Sequence, residues 1–249
     1  MSQVRKLVAG NWKMHGVASQ LSEALLIAQS LAQTPAVCRV ALCPPTTLIH
    51  RMSEVLGDAA VLVGAQDLHP EVKGAFTGDV SAHMLHDAGA QLVIIGHSER
   101  RAAYRESNDL IAAKVATALH VGLEPVICVG ETREEREAGQ AVLVVESQLA
   151  GSLPDVLDAA HFAIAYEPVW AIGSGATPTI AEIEAIHAAI RAHLVRRFAN
   201  GASVPILYGG SVKPDNAAAI MQAREVGGAL VGGASLTARD FLPIIRAAG

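Results

Sequence analysis

The chain has 249 residues, of which 51% are hydrophobic, 17% charged and 4% aromatic, and its formal net charge is −5. That balance excludes intrinsic disorder, no apolar run reaches the roughly 18 to 20 residues of a membrane helix, and mild acidity argues against nucleic-acid binding. The three cysteines, Cys38, Cys43 and Cys128, are odd in number and form no CxxC, so neither a disulfide framework nor a zinc site is implied. The N-terminus lacks the basic, apolar, small order of a signal peptide, and a cytoplasmic protein is expected.

The first apolar, β-branched segment is Val4–Gly10. A helical pattern follows, with Leu21, Leu25, Ala28 and Ala32 keeping one face apolar. Strand-like segments recur at Val37–Cys43, Ala60–Gln66 and Gln91–Gly96. Ile111, Val115 and Leu119 then repeat at four-residue spacing, and Gly122 marks a C-terminal stop. Glu124–Gly130 and Phe162–Tyr166 read as further strands. Thr179 and Glu182 form a capping box, and Ile183, Ile186, Ile190 and Leu194 continue the helix stripe. Val204–Gly210 and Ala229–Gly233 complete a set of eight strand cores.

Continuously apolar strands are buried on both faces, and therefore parallel. Strand and helix alternating eight times without a break in composition predicts one (β/α)8 barrel domain over residues 1–249. The competing fold, an open doubly wound sheet, would want a glycine-rich phosphate loop after an early strand. Asn11-Trp12-Lys13 stands there instead, and there is no GxxxxGK[ST]. The charge run Glu131–Glu137 reads as a solvated helix start. His83 and His86 lie three apart on a helical stretch, but no third ligand accompanies them, so no metal site is expected.

Parallel barrels collect functional groups where their strands end. At those positions stand Asn11 and Lys13, then His97, Ser98 and Glu99, then Glu131, Glu167, Gly209-Gly210-Ser211, and Gly232-Gly233. Polar loop residues could supply such a list by chance, and a lone glycine pair is more often a tight turn. The motifs are more specific. GNWKM (Gly10–Met14), GAFTGDVSAHML (Gly74–Leu85), GHSERR (Gly96–Arg101), PVICVGET (Pro125–Thr132), AYEPVWAIGSG (Ala165–Gly175), YGGSV (Tyr208–Val212) and LVGGASL (Leu230–Leu236) occur in this order and span the chain. Together they resemble the triosephosphate isomerase family.

The resemblance implies a glycolytic isomerase of dihydroxyacetone phosphate and glyceraldehyde 3-phosphate, working through an enediolate without cofactor or metal. Glu167 would be the base that removes a proton from one carbon and returns it to the next. By position alone it could equally be a buried carboxylate in an ion pair. His97 would donate a hydrogen bond to the enediolate, as a neutral imidazole, because it opens a helix whose N-terminus disfavours the charged ring. Lys13, held by Glu99, would bring positive charge to substrate oxygen and phosphate, with Asn11 beside it. A Schiff-base role for Lys13 is rejected, since a neighbouring carboxylate favours the charged amine.

Backbone amides near Ser211, Gly232, Gly233 and Gly173 would hold the phosphate. Pro168, Val169, Trp170, Ala171, Ile172, Gly173, Ser174, Gly175, Ala176, Thr177 and Pro178 would form a lid, with Glu131 near Trp170 and with Tyr208 and Ser211 against its closed form. An ordinary surface loop is the alternative. Pro178 departs from the family's usual hinge and predicts a stiffer exit from that segment. Gly227 stands where the family often has an acid reaching Arg191, so that ion pair is expected to be absent. A homodimer is implied through Gly74–Gly78, with Phe76 buried by the partner and Thr77 supporting the partner's Asn11 and Lys13. The competing functions are another phosphate-binding barrel enzyme or a catalytically silent sugar-phosphate binder. The first would want a strand-end metal set in the epimerase case, and the second would lack base, acid or lysine.

Overall fold

A computed structural model describes residues 5–157, 161–172 and 177–249. Strands and helices alternate along the chain as β1 (Leu7–Asn11), α1 (Leu21–Gln33), β2 (Arg39–Cys43), α2 (Ile49–Leu56), β3 (Leu62–Ala65), α3 (Ala82–Asp87) and β4 (Leu92–Ile95). They continue as α4 (Ser98–Ala103), α5 (Asn108–His120), β5 (Glu124–Val129), α6 (Arg133–Glu137), α7 (Ala141–Ser152) and β6 (Ala163–Tyr166). The series ends with α8 (Ile180–Arg197), β7 (Ile206–Tyr208), α9 (Ala217–Gln222), β8 (Gly228–Val231) and α10 (Ala238–Ala247). The strands pair in parallel in sequence order, and β1 also pairs β8 with Leu7 opposite Gly228, which closes the barrel. Each of the eight strand segments read from the sequence overlaps one strand, although β1 runs one residue past its segment and β8 begins one residue before its own. Among the described residues no helix is long and apolar enough to cross a membrane.

Alternation along the strands divides the core in two. Leu7, Ala9, Ala41, Cys43, Leu92, Ile94, Val126, Cys128, Ala163, Ala165, Leu207 and Leu230 pack together inside the barrel. Their neighbours in the strands, among them Val8, Val40, Val93, Ile127, Ile164 and Ile206, point outward into the helix layer. The interior mixes alanine with branched residues because the curvature leaves little room at the axis. On the outside, Ile183, Ile186, Ile190 and Leu194 of α8 are buried as their spacing predicts. Each such side chain contributes about 1.5–3 kcal/mol when fully buried.

Two local readings change, and one ion pair is added. The buried face of α1 is Leu21, Ala24, Ile27, Ala28 and Leu31, whereas Leu25 and Ala32 face solvent, a rotation of about one residue. Helix α7 begins in AVLVV, a strand-like run that the pattern did not mark as helical. Gly227 offers Arg191 no acid, and the arginine pairs instead with a neighbour in the same turn: its Nε lies 2.8 Å from Glu225 Oε2. Glu225 adopts φ +63° two residues before Gly227, and from that left-handed turn its side chain reaches the arginine.

Candidate active site

Lys13 stands at the end of β1 with φ +52°, a left-handed conformation that a non-glycine residue holds only when its surroundings fix it. Two groups do so. Asn11 Oδ1 accepts from the Lys13 amide at 3.0 Å, and Gln66 Nε2, at the end of β3, donates to the Lys13 and Cys43 carbonyls at 2.9 Å each. The ammonium is paired with Glu99 in the first turn of α4. Gln66 was not singled out from sequence. Its one signal was a polar residue terminating an apolar strand.

His97 caps α4, and its Nδ1 accepts from the Glu99 amide at 3.2 Å. A backbone N–H is a fixed donor, so Nδ1 keeps its lone pair and the proton of a neutral ring sits on Nε2. Nε2 lies 2.8 Å from Glu167 Oε1, while Glu167 Oε2 accepts from the Ser98 amide at 2.8 Å. Burial disfavours ionisation of Glu167, but His97, the Ser98 amide and Lys13 outweigh it and hold the carboxyl below the usual range. Burial likewise disfavours a charged His97, yet the adjacent Glu167 and then Glu99 leave its pKa above the ordinary value. This modifies the expectation of a neutral ring imposed by the helix end. While Glu167 rests against it, the carboxylate governs the imidazole.

Glu167 is placed by the close approach of β5 and β6. Its amide donates to Val129 O at 2.8 Å, and a Cβ added to Gly130 would stand 1.7 Å from the Glu167 carbonyl oxygen. Only glycine allows that approach. Gln148 of α7 holds the same turn, bonding the Gly130 amide at 2.8 Å and its carbonyl at 3.0 Å.

These groups border a cleft of about 310 Å³. Asn11, Lys13, His97, Glu167, Ile172, Ser211, Gly232 and Gly233 all line it, as do His15 and Lys213, which the sequence reading did not single out. Glu99 acts from behind, through Lys13. A Cβ at Gly232 would stand 3.6 Å from Lys13 Cε, and one at Gly233 would meet nothing within 4 Å. Packing therefore does not demand these glycines.

Beyond the base, Pro168 leads into a 3-10 turn over Val169–Ala171. Glu131 is fully buried, and its Oε1 accepts from Trp170 Nε1 at 2.9 Å and from the Tyr166 hydroxyl at 3.1 Å. Thr177 is exposed and Pro178 buried. The expected roles of Gly173, Ser174, Gly175 and Ala176 lie outside the described residues. The Tyr208 hydroxyl is buried with no hydrogen-bond partner among the described residues. The other expected interface residues lie away from the cleft. Thr77 is exposed, and Phe76 is 42% exposed with its ring 4.0 Å from that of His69. His83 stacks edge-on against His120, and among the described residues no cluster of three or more His, Cys, Asp or Glu could hold a metal.

A closed parallel barrel with a carboxylate, an imidazole and an ammonium at its strand ends, lining one cleft with Gly232 and Gly233, defines a (β/α)8 enzyme. Residues 6–248 match the family model for triosephosphate isomerase. The chain is 56% identical over 244 residues to the triosephosphate isomerase of Caulobacter vibrioides, covering 98% of this chain and 96% of that one. It is 55% identical to that of Ruegeria sp. (strain TM1040), covering 98% of each. The crystal structure of triosephosphate isomerase from Bartonella henselae superposes with a TM-score of 0.92 at 45% identity, covering 98% of this chain and 99% of that one. The chain belongs to the triosephosphate isomerase family, and its reaction is the interconversion of dihydroxyacetone phosphate and glyceraldehyde 3-phosphate.

Proposed function

We propose that Glu167 is the base of this isomerisation and His97 the hydrogen-bond donor to the enediolate. The observation that carries this is the direct Glu167–His97 contact at 2.8 Å on the wall of the cleft. Both Glu167 oxygens are engaged, by His97 Nε2 and by the Ser98 amide. To take a carbon-bound proton the carboxylate exchanges those bonds for contact with substrate. That movement frees Nε2–H for a substrate oxygen. It also removes the carboxylate that most raises the His97 pKa, leaving burial, the Glu99 amide and the Lys13 charge to favour the neutral ring against the weaker pull of the Glu99 carboxylate. The neutral donor expected of the family thus belongs to the substrate-bound state.

Lys13 supplies the fixed positive charge at the substrate oxygens, with Asn11 beside it, and Glu99 holds the ammonium in place. Ser211 and the amides of Gly232 and Gly233 receive the phosphate. Local placement, not net charge, lets a chain of charge −5 hold an anion. The Pro168–Pro178 segment serves as the lid: the Gly173 amide joins the phosphate site, and the Tyr208 hydroxyl, which has no partner among the described residues, receives the closed segment. The protein works as a cytoplasmic homodimer, in which Phe76 and Thr77 enter the neighbour beside its Asn11 and Lys13.

Replacing Glu167 by Gln tests the base. The expected result is a kcat lower by about 10²–10⁴-fold with a nearly unchanged KM, because the base acts in the transition state and the phosphate contacts remain. A variant that retains wild-type kcat overturns the assignment.

A further inference from the structure

We infer that Lys213 is the capture residue of this cleft: an ammonium rooted in a fixed turn and left without a counter-charge, which draws the substrate's phosphate in and so favours phosphorylated over unphosphorylated trioses. Beyond β7 the chain runs along the cleft wall through Gly209, Gly210, Ser211, Val212 and Lys213. Asn216 fixes that run from the far side of the turn. Its Oδ1 accepts from the Lys213 amide at 2.8 Å, and its Nδ2 donates to the Ser211 carbonyl at 3.0 Å. The Lys213 carbonyl in turn accepts from the amides of Asn216 at 3.2 Å and Ala217 at 3.0 Å, where α9 begins. The backbone of Lys213 is thus held on both sides, while the residue itself is exposed. Its ammonium makes no hydrogen bond or ion pair among the described residues, not even with Asp215 two residues on.

The other charges around the cleft give that free ammonium its importance. Among the described residues, Lys13 and Lys213 are the lysines on the wall, and no arginine joins them. Lys13 is answered by Glu99, so its field is largely cancelled a short distance away. Glu167 adds a negative charge to the wall, which opposes an incoming anion. The chain as a whole carries −5 and opposes it too. Attraction at a distance therefore falls to a charge that no neighbour cancels, set where solvent meets the cleft. Lysine suits the task, being a compact point charge on a flexible stem that can follow an anion without demanding one geometry. Ser211 lies two residues earlier on the same wall, so the group that attracts the phosphate leads directly to one proposed to seat it.

This inference rests on the proposed reading of the phosphate site, so its test compares two substrates, glyceraldehyde 3-phosphate and glyceraldehyde, which has no phosphate. It also compares two ionic strengths, about 10 mM, where screening sets in over about 30 Å, and about 1 M, where it sets in over about 3 Å. At the lower one, Lys213→Gln is expected to lose about 3- to 10-fold in kcat/KM for the phosphorylated triose, with kcat within about twofold of wild type. At the higher one the difference should shrink to less than about twofold, because screening removes what the charge supplied. Lys213→Glu should lose more, roughly the square of that factor, and Lys213→Arg should stay within about twofold of wild type, since the charge and not a fixed contact is required. Activity on glyceraldehyde should be unchanged in all three. Arg51→Gln removes the same charge from the exposed face of α2, away from the cleft, and should change nothing. A loss carried by kcat, a loss that persists at high salt, an equal loss on glyceraldehyde, an equal effect of Arg51→Gln, or no loss at all overturns the inference and leaves the assignment of the base standing. A wild-type enzyme with the same kcat/KM for both trioses overturns the reading of the phosphate site instead.

Discussion

Glu167 is fully buried and still ionised, because His97, the Ser98 amide and Lys13 converge on it. Its position depends on a neighbour with no side chain. At Gly130 a methyl group would fall 1.7 Å from the Glu167 carbonyl oxygen, so strands β5 and β6 would have to separate. Gly130→Ala is expected to lower kcat by about 100-fold through displacement of the carboxylate by about 1 Å. Steady-state kinetics on the folded variant check this, and an unchanged kcat would show that the approach does not set the base. The residues assigned to the reaction were legible because each sits just past an apolar strand. Those that hold them in place were not. Gln66 and Gln148 act through contacts with Lys13 and Gly130, far apart in sequence, and no local pattern distinguishes them from ordinary surface amides.

At the level of elements, the strands were read well because continuous apolar runs bounded by glycine or polar residues leave little choice. Helices were harder where burial on one side is mixed with small residues. In α1 the true stripe uses Ala24, and alanine weighs too little to fix the phase. Helix α8 carries a further consequence. His187 is buried against Tyr166, with ring centres 5.8 Å apart, its Nδ1 is 3.1 Å from the Glu225 carbonyl oxygen, and its Nε2 has no hydrogen-bond partner among the described residues. Burial pushes its pKa down to about 4. Above the unfolded value near 6.5 the ring is neutral in both states and contributes nothing to pH dependence. As pH falls from about 6.5 toward 4, the unfolded chain takes up a proton that the native ring refuses, so the native state loses stability, by roughly 3 kcal/mol at the limit. His187→Gln should therefore flatten the decline in stability over that window. Urea unfolding at pH 7 and pH 5 measures it, and an unchanged difference between the two pH values would overturn the account.

For the molecule as a whole, several large apolar side chains stand exposed. Met14 is 95% exposed and Val17 66%, both just beyond β1, and Phe76 stands on the exposed 71–79 stretch. Large apolar side chains left in water favour burial by a partner. On the proposed homodimer, Phe76→Asp should yield monomers in sedimentation velocity at micromolar concentration, with kcat reduced because Thr77 would no longer support the neighbour's Asn11 and Lys13. A variant that sediments as the wild type does would remove this loop from the interface.

The pairing of β1 with β8 also bears on how the chain is made. Leu7 finds its partner Gly228 about 220 residues later. A nascent chain therefore carries the free edge of β1 through almost its entire synthesis, and the last strand to emerge supplies the missing hydrogen bonds. Until then the growing sheet has two open edges, each a template for pairing with another chain. Products that stop before residue 228 would keep both edges and aggregate, however well their earlier strands had formed.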